Sequence, residues 1–198
     1  MTRPDRPSAG GTGLTALLAR RLLPEAAPGR VDVWVQGVSV GEVELAHTLA
    51  LALRSARPEL SLLVTSSTPA GVGLLERRFR DLAPPARLQP FPLDLPVSVR
   101  RLLDSATPRL LVLMETELWP VLLRAVRRRG LPVVVASGRL SERSVGRLRA
   151  ARPLFRSGLD ALSAVAARSE EDAERFAAVG VPRERIHVAG DMKFDRPL

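Results

Sequence analysis

Short apolar runs alternate with segments of helical period along most of this chain, beginning near residue 31. The apolar runs are rich in Val and Leu and are bounded by turn residues, which is typical of β-strands. Most of them are continuous instead of alternating in polarity, which indicates strands buried on both faces beneath helices. The predicted strands cover residues 31–36, 60–65, 87–91, 110–114, 132–136, 161–165 and 186–188.

Helical segments separate these strands and begin near residues 42, 70, 97, 117, 142 and 171. Regular alternation of strands and helices predicts a parallel sheet with crossover helices. The fold class is therefore α/β, with a Rossmann-like doubly wound parallel sheet. Ligands of such sheets bind beyond the carboxyl ends of the strands, so the residues that follow each strand are the first candidates for a site.

The pattern divides the chain into three regions. Residues 1–30 combine a flexible lead-in, rich in Pro and Gly, with a short amphipathic segment at 14–23. That segment is too short and too charged to span a bilayer, and it fits either a packing helix or a helix at a membrane interface. Residues 31–190 form the Rossmann-like domain, and residues 191–198 begin a linker.

Composition limits the classes of partner. The chain has 198 residues, 45% of them hydrophobic, which is enough for one substantial core. Its net charge of +9 favours anionic partners, such as phosphorylated lipid or a negatively charged membrane surface. Nucleic acid is disfavoured, because Tyr is absent, aromatics make up 4%, and no basic stretch is interleaved with stacking side chains. The absence of Cys excludes disulfides and a thiol nucleophile.

The segment after the first strand, residues 37–42, reads Gly-Val-Ser-Val-Gly-Glu. Its two glycines permit a tight turn and the close approach of a ligand to the backbone. Glu42 falls in the first turn of the next helix, among unpaired N–H groups. Acidic residues are common there because they complement the helix dipole, so Glu42 is either a structural first-turn residue or a functional carboxylate.

The segment after the second strand, residues 65–71, contains four hydroxyl residues and a proline before a helix. This pattern is typical of a helix N-cap, and it also suits a phosphate or sugar bound to helix N–H groups. Glu76 occupies the third position of a G-x-G-x-x-G pattern that would begin at Gly71, and no P-loop motif occurs. The usual markers of dinucleotide and ATP binding are therefore missing.

Charged residues follow the next three strands. Asp94, after the third, fits either a cap of the following helix or a ligand contact. Glu115 and Glu117, after the fourth, form an oxygen-only pair, but no D-x-D motif accompanies them, so we expect no metal site. Arg139 and Arg143, after the fifth, have the guanidinium geometry that suits phosphate or carboxylate, although a solvated helix face also explains one of them.

Taken in order, these segments resemble the 3-deoxy-D-manno-octulosonic acid (Kdo) transferase family over about residues 31–197. The matching motifs are residues 39–42, 65–71, 92–94, 114–120, 139–143 and 190–195. The resemblance implies the N-terminal half of a GT-B glycosyltransferase that needs no metal or other cofactor. The chain departs from the family pattern at 36–38, at Val121 and at 137–138.

The resemblance also implies a reaction. The 6′-hydroxyl of a lipid A precursor attacks the anomeric carbon of CMP-Kdo, with inversion and release of CMP, and Glu42 is similar to the family's general base. The resemblance places further residues in acceptor binding or in the interdomain cleft: Ser39, Gly41, Thr68, Gly71, Glu115, Glu117, Arg139, Arg143 and Lys193. We expect the donor-binding half to lie outside residues 1–198, the chain alone to be inactive, and the enzyme to work peripherally at the cytoplasmic face of the inner membrane.

Two other functions remain open from the sequence. One is a solitary domain that binds the acceptor or anionic lipid without catalysis. The other is a GT-B transferase that uses a different activated sugar, which motifs 115–120 and 139–143 disfavour because they fit Kdo transferases better.

Overall fold

Seven parallel strands form one sheet in the computed structural model, which describes residues 13–26, 29–116 and 118–195. The strands are β1 (Val33–Gly37), β2 (Leu62–Ser66), β3 (Arg87–Pro90), β4 (Leu110–Met114), β5 (Val133–Gly138), β6 (Leu162–Ala167) and β7 (Ile186–Val188). Their order across the sheet is β3-β2-β1-β4-β5-β6-β7. The direction of winding reverses between β1 and β4, so the crevice at the carboxyl ends of these two strands is the topological switch point.

Helices cover both faces of the sheet. They are α1 (Leu14–Leu22), α2 (Val40–Ala56), α3 (Pro69–Arg78), α4 (Pro96–Ala106), α5 (Pro120–Arg128), α6 (Glu142–Ala150), α7 (Arg152–Leu159) and α8 (Glu170–Ala178). Two short 3₁₀ turns, Arg183–Arg185 and Met192–Asp195, flank β7.

Alternate strand residues supply two cores, because successive side chains of a strand point to opposite faces. Trp34 and Leu111 face a core that includes side chains of α4, α5 and α8. Val35 and Val112 face a second core, under α2 and α3. Burial of each such apolar side chain stabilises the fold by about 1.5–3 kcal/mol, so the sheet is a rigid base for the loops at its edge.

The predicted fold class is confirmed, and all seven strands lie within two residues of their predicted bounds. Helix α7 was not predicted as a separate element, because only Ala151 separates it from α6. Pro153 lies in the first turn of α7, where a proline starts a helix more easily than it continues one. Helix α5 begins at Pro120 and not near residue 117, for the same reason.

Helix α1 packs against the domain through three hydrogen bonds. Arg21 Nε donates to the carbonyl of Phe91 at 3.0 Å, and the Arg21 carbonyl accepts the N–H of Leu93 at 2.8 Å. Ser98 Oγ donates to the carbonyl of Leu22 at 2.7 Å. Segment 14–23 therefore packs against the domain, although none of the side chains of α1 is buried and Leu14 is 65% exposed. No helix in the described part of the chain is long and apolar enough to span a bilayer.

Candidate active site at the carboxyl edge of the sheet

Glu42 lies in a capping box that closes the turn between β1 and α2. Ser39 is the N-cap residue of α2, and its Oγ accepts the N–H of Glu42 at 3.3 Å. The same hydroxyl donates to Glu42 Oε1 at 2.9 Å, while Glu42 Oε2 accepts the N–H of Val38 at 2.8 Å. The Ser-x-x-Glu spacing produces this arrangement, because the N-cap and the third helical residue meet across the first turn.

Glu42 is 7% exposed as a residue, and the pKa of its carboxyl is raised. Burial is the largest cause, since it disfavours the charged form. The hydrogen bonds from Val38 and Ser39 oppose the shift, and the negative charge of Glu115 adds to it. A carboxyl perturbed by burial and by a second carboxylate, at the switch point of a parallel sheet, is a candidate for a functional site.

Glu115 follows β4, the strand beside β1, so the topology brings the two carboxylates to the switch point from distant parts of the sequence. Its backbone is in the left-handed region, with φ at 54°, and its N–H donates to the carbonyl of Ala136 at 3.0 Å. Ser137, after β5, has φ at 52°. A left-handed backbone conformation at a residue other than glycine costs free energy, and such conformations cluster at active sites and ligand-binding sites.

Thr68 and Gly71 hold the β1–α2 turn from the neighbouring strand. Thr68 Oγ1 accepts the N–H of Gly71 and donates to the carbonyl of Val38, both at 3.0 Å. Ser66 Oγ donates to the same carbonyl at 2.9 Å. A Cβ atom at Gly71 would lie 2.2 Å from Ser66 Oγ and 3.0 Å from the Val38 oxygen. The described contacts of Thr68 and Gly71 thus position Val38, and a direct ligand contact for either stays a prediction.

Ser39 and Gly41 lie at the exposed start of α2. A Cβ atom at Gly41 would meet only Ser39 Oγ, at 3.8 Å, so packing within the protein does not require a glycine there. At Gly37 a Cβ atom would lie 3.0 Å from the Glu42 backbone. Gly37 therefore permits the close approach of β1 to the first turn of α2, as the tight turn predicted from the sequence requires.

Arg139 and Arg143 are exposed at the β5–α6 end of the edge. The Arg139 carbonyl accepts a hydrogen bond from the Thr116 hydroxyl, which ties this loop to the loop that carries Glu115. Among the described residues, the nearby carboxylates pair instead with Arg168 and Arg175. The side chains of Arg139 and Arg143 thus face solvent, and their predicted anion contacts remain untested.

Lys193 lies in the 3₁₀ turn Met192–Asp195, which packs against α2, the helix that carries Glu42. Its side chain is exposed, and the Met192 side chain packs against the core beneath α2. Glu117, which was predicted to join Glu115 at this edge, lies outside the described residues.

Asp94 caps a helix other than the one that follows it. Its carboxylate oxygens accept the N–H groups of Val121 at 3.0 Å and Leu122 at 2.8 Å, in the first turn of α5. The capping expected from the sequence is thus correct in kind but wrong in its target, because α4 begins after Leu95 without a side-chain cap.

Asp172 is a supporting residue that the sequence reasoning missed. It is 1% exposed, and its carboxylate accepts the N–H of Leu140 at 2.9 Å, which fixes the loop that carries Arg139. Its signal was present, since Ser169 and Asp172 repeat the Ser-x-x-acid spacing of Ser39 and Glu42.

The arrangement can accept a proton and bind anions at one edge. Its central groups are one buried carboxyl with a raised pKa, a second carboxylate near it, and arginines at the rim. Within the described residues, no three His, Asp or Glu side chains gather as metal ligands would.

Comparison with known proteins identifies the family to which this chain is similar. A sequence profile described as "3-Deoxy-D-manno-octulosonic-acid transferase (kdotransferase)" matches residues 15–196. The 3-deoxy-D-manno-octulosonic acid transferase of Haemophilus influenzae is 34% identical over 85% of this chain and 39% of its own length. The enzyme of the same name from Bordetella pertussis is 36% identical over 91% of this chain and 41% of its own length. The chain therefore spans about two fifths of these relatives.

Solved structures of low identity share the fold. A UDP-N-acetylglucosamine 2-epimerase from Listeria monocytogenes, described as putative, has a TM-score of 0.59 at 12% identity, over 83% of this chain and 46% of its own. The UDP-GlcNAc 2-epimerase from Neisseria meningitidis has a TM-score of 0.57 at 11% identity, over 82% of this chain and 47% of its own. These likenesses agree with the Rossmann-like half of a GT-B protein. The profile match and the identities to the two transferases show that the chain belongs to the 3-deoxy-D-manno-octulosonic acid transferase family.

Proposed function

We propose that this chain is the acceptor-binding half of an enzyme that transfers Kdo from CMP-Kdo to the 6′-hydroxyl of a lipid A precursor. Family membership supports the class of reaction, since the matching relatives are named as transferases of this sugar. The observation that carries the proposal is the Glu42 carboxyl, buried at the switch point with a raised pKa. Ligands of doubly wound sheets bind at that point.

Glu42 acts as the general base in this proposal. The acceptor hydroxyl oxygen forms a bond to the anomeric carbon of Kdo while the bond from that carbon to CMP breaks, and CMP leaves with the electron pair. The hydroxyl proton passes to Glu42. Burial and the charge of Glu115 make this carboxylate a stronger base than an exposed one. Ser39 and Val38 fix its orientation with one hydrogen bond to each oxygen, which leaves further lone pairs for the proton.

The rim arginines supply anion contacts. Arg139 and Arg143 are exposed, and guanidinium groups bind phosphate oxygens in a bidentate geometry. A phosphorylated acceptor held there lies beside the loop of Glu115, to which the Arg139 carbonyl is bonded through Thr116. Lys193 lies in the 3₁₀ turn that packs against α2 and adds positive charge near the helix that carries Glu42.

Peripheral attachment to an anionic membrane fits a groove between the end of α1 and helix α4. Leu23 and Val97, each 57% exposed, line one groove with Arg100 and Arg101. Exposed apolar side chains beside arginines favour the surface of an anionic bilayer. The net charge of +9 acts in the same direction. This surface would hold the domain where a lipid acceptor is available, at the cytoplasmic face of the inner membrane.

The test is transfer of Kdo by a longer protein that contains both halves. Glu42→Gln keeps the size of the side chain and removes its basicity, so we expect turnover to fall by roughly two to four orders of magnitude. Glu76→Gln is the matched control, because Glu76 is an exposed glutamate on α3, outside the capping box of Glu42. If Glu42→Gln melts normally and turns over like the wild type, Glu42 is a capping residue and the proposal is wrong.

A further inference from the structure

A cavity of about 280 Å³ lies between the loop after β4 and helices α6 and α7. It begins one residue beyond Glu115, at Thr116, and is therefore next to the candidate active site along the same loop. The lining residues are Thr116, Leu118, Ser144, Arg147, Leu148, Ala151 and Phe155. No role in the transfer reaction proposed above uses this cavity.

The floor of the cavity is apolar. Leu148 belongs to the core beneath α5, and Leu118 and Phe155 pack against that core while remaining partly exposed. The neutral polar groups of the lining are already engaged, since the Thr116 hydroxyl donates to the Arg139 carbonyl and Ser144 is bonded to Ser141. A sugar ring would find few free partners for its hydroxyl groups there, whereas a hydrocarbon chain would gain apolar contact.

Arg147 gives the cavity one cationic group. It is exposed, and its Nη2 donates to Ser144 Oγ at 3.4 Å, a long hydrogen bond that a stronger acceptor can replace. Among the described residues, the ion pairs of the acidic side chains of α6 and α8 are with Arg168, Arg175 and Arg183, and none is with Arg147. The mouth of the cavity therefore complements an anion.

We propose that this cavity binds one acyl chain of the lipid acceptor, while an anionic group at the head of that lipid pairs with Arg147. The inference rests on the proposed function, because a lipid acceptor is the molecule that would bring a hydrocarbon chain to this edge. The volume is slightly below the usual range of whole-ligand pockets, roughly 300–1,000 Å³, so the cavity takes a segment of a chain and not an entire ligand.

The experiment titrates this chain with three probes below their critical micelle concentrations: decyl phosphate, decyl maltoside and inorganic phosphate. Methyl NMR follows Leu118 and Leu148, with Leu75 in the opposite core as an internal reference. We expect decyl phosphate to bind with saturation at one to one and to shift only the two cavity leucines. Decyl maltoside binds more weakly because it lacks the charge, and inorganic phosphate leaves these signals unchanged.

Two variants separate the contribution of the Arg147 charge to probe binding from the contribution of the cavity. Arg147→Ala weakens the binding of decyl phosphate by roughly ten- to hundredfold, which is the effect of one charge-assisted hydrogen bond. It leaves the affinity for decyl maltoside unchanged. Ala151→Phe fills the cavity and weakens the binding of both decyl probes. Arg80→Ala is the control of equal charge, since Arg80 is exposed just beyond α3, on the other face of the sheet. The inference is overturned if the shifts do not saturate, if Arg147→Ala behaves like Arg80→Ala, or if Ala151→Phe binds both probes like the wild type.

Failure of this inference is distinguishable from failure of the proposed function. Glu42 does not line the cavity, so Glu42→Gln leaves decyl phosphate binding unchanged. If Glu42→Gln retains transfer while the cavity variants still weaken the binding of decyl phosphate, the proposed function is wrong and the acyl site is supported. If Glu42→Gln abolishes transfer but the cavity variants bind decyl phosphate like the wild type, only the proposal of the acyl site is wrong.

Discussion

Ser39 and Glu42 bond to each other in both directions. The Ser39 hydroxyl donates to Glu42 Oε1 at 2.9 Å, and its oxygen accepts the Glu42 N–H at 3.3 Å. This reciprocal pair ends the β1–α2 turn and also orients the carboxyl that we propose as a base. The capping geometry holds the carboxyl at the switch point, so the structural role of Glu42 is compatible with the catalytic role that we propose for it.

We expect Glu115→Gln to lower the pKa of Glu42. The negative charge of Glu115 disfavours ionisation of Glu42, and a neutral amide removes that repulsion. A titration followed by ¹³C NMR of the Glu42 carboxyl would measure the change. In the longer protein that contains both halves, Glu115→Gln should begin to transfer Kdo at a lower pH than the wild type.

Glu76→Gln is the control for this titration, because Glu76 is exposed on α3, away from β4. It should leave the Glu42 curve in place. An identical Glu42 curve in Glu115→Gln and wild type would show that burial alone raises the pKa.

Asp94→Ala should lower the free energy of unfolding by about 1–2 kcal/mol, because two N–H groups at the start of α5 lose their acceptor. Asp94→Asn should cost less, since its amide oxygen can still accept. Denaturant unfolding would measure both variants against Asp81→Ala, an exposed site. Equal stability of Asp94→Ala and Asp81→Ala would mean that this cap contributes nothing.

Gly71→Ala and Gly73→Ala form a matched pair on α3. The added methyl group at Gly71 meets Ser66 Oγ at 2.2 Å and the Val38 carbonyl at 3.0 Å, and we expect a loss of about 1–3 kcal/mol. At Gly73 it meets only Arg77 at 3.7 Å, and the helix gains about 0.5–1 kcal/mol from alanine. Thermal melts that show the same sign for both variants would contradict this account of the turn.

The chain should bind anionic vesicles and be released as salt rises, because its net charge is +9 and salt screens exposed charges. Leu23→Ser combined with Val97→Ser should weaken this binding, since both side chains line the groove near Arg100. Phe194→Ser is the control, because Phe194 is 89% exposed after β7, outside that groove. Co-sedimentation that is equal for neutral and anionic vesicles, and indifferent to salt, would exclude the proposed surface.

Local patterns predicted the fold well. Continuous apolar runs placed the strands, and their alternation with helices predicted a doubly wound sheet, because burial on both faces and crossover geometry leave short-range signatures. The position of Glu42 just after the first strand and its glycine-containing turn predicted that it lies in the first turn of the next helix, where the structure has it. These features depend on residues within a few positions of one another.

Contacts between distant segments could not be read from the sequence alone. The strand order brings Glu115 to Glu42, where its charge adds to the effect of burial on the pKa of Glu42, and no local pattern indicates that β1 and β4 are neighbours. Asp94 caps α5 and not α4 for the same reason. The sequence by itself thus determined the seven strands, the helices other than α7 and the placement of Glu42 at the start of α2. Only the tertiary structure decided which charges act on that carboxyl and that a cavity lies beside it, because both depend on segments packed together from far apart in the chain.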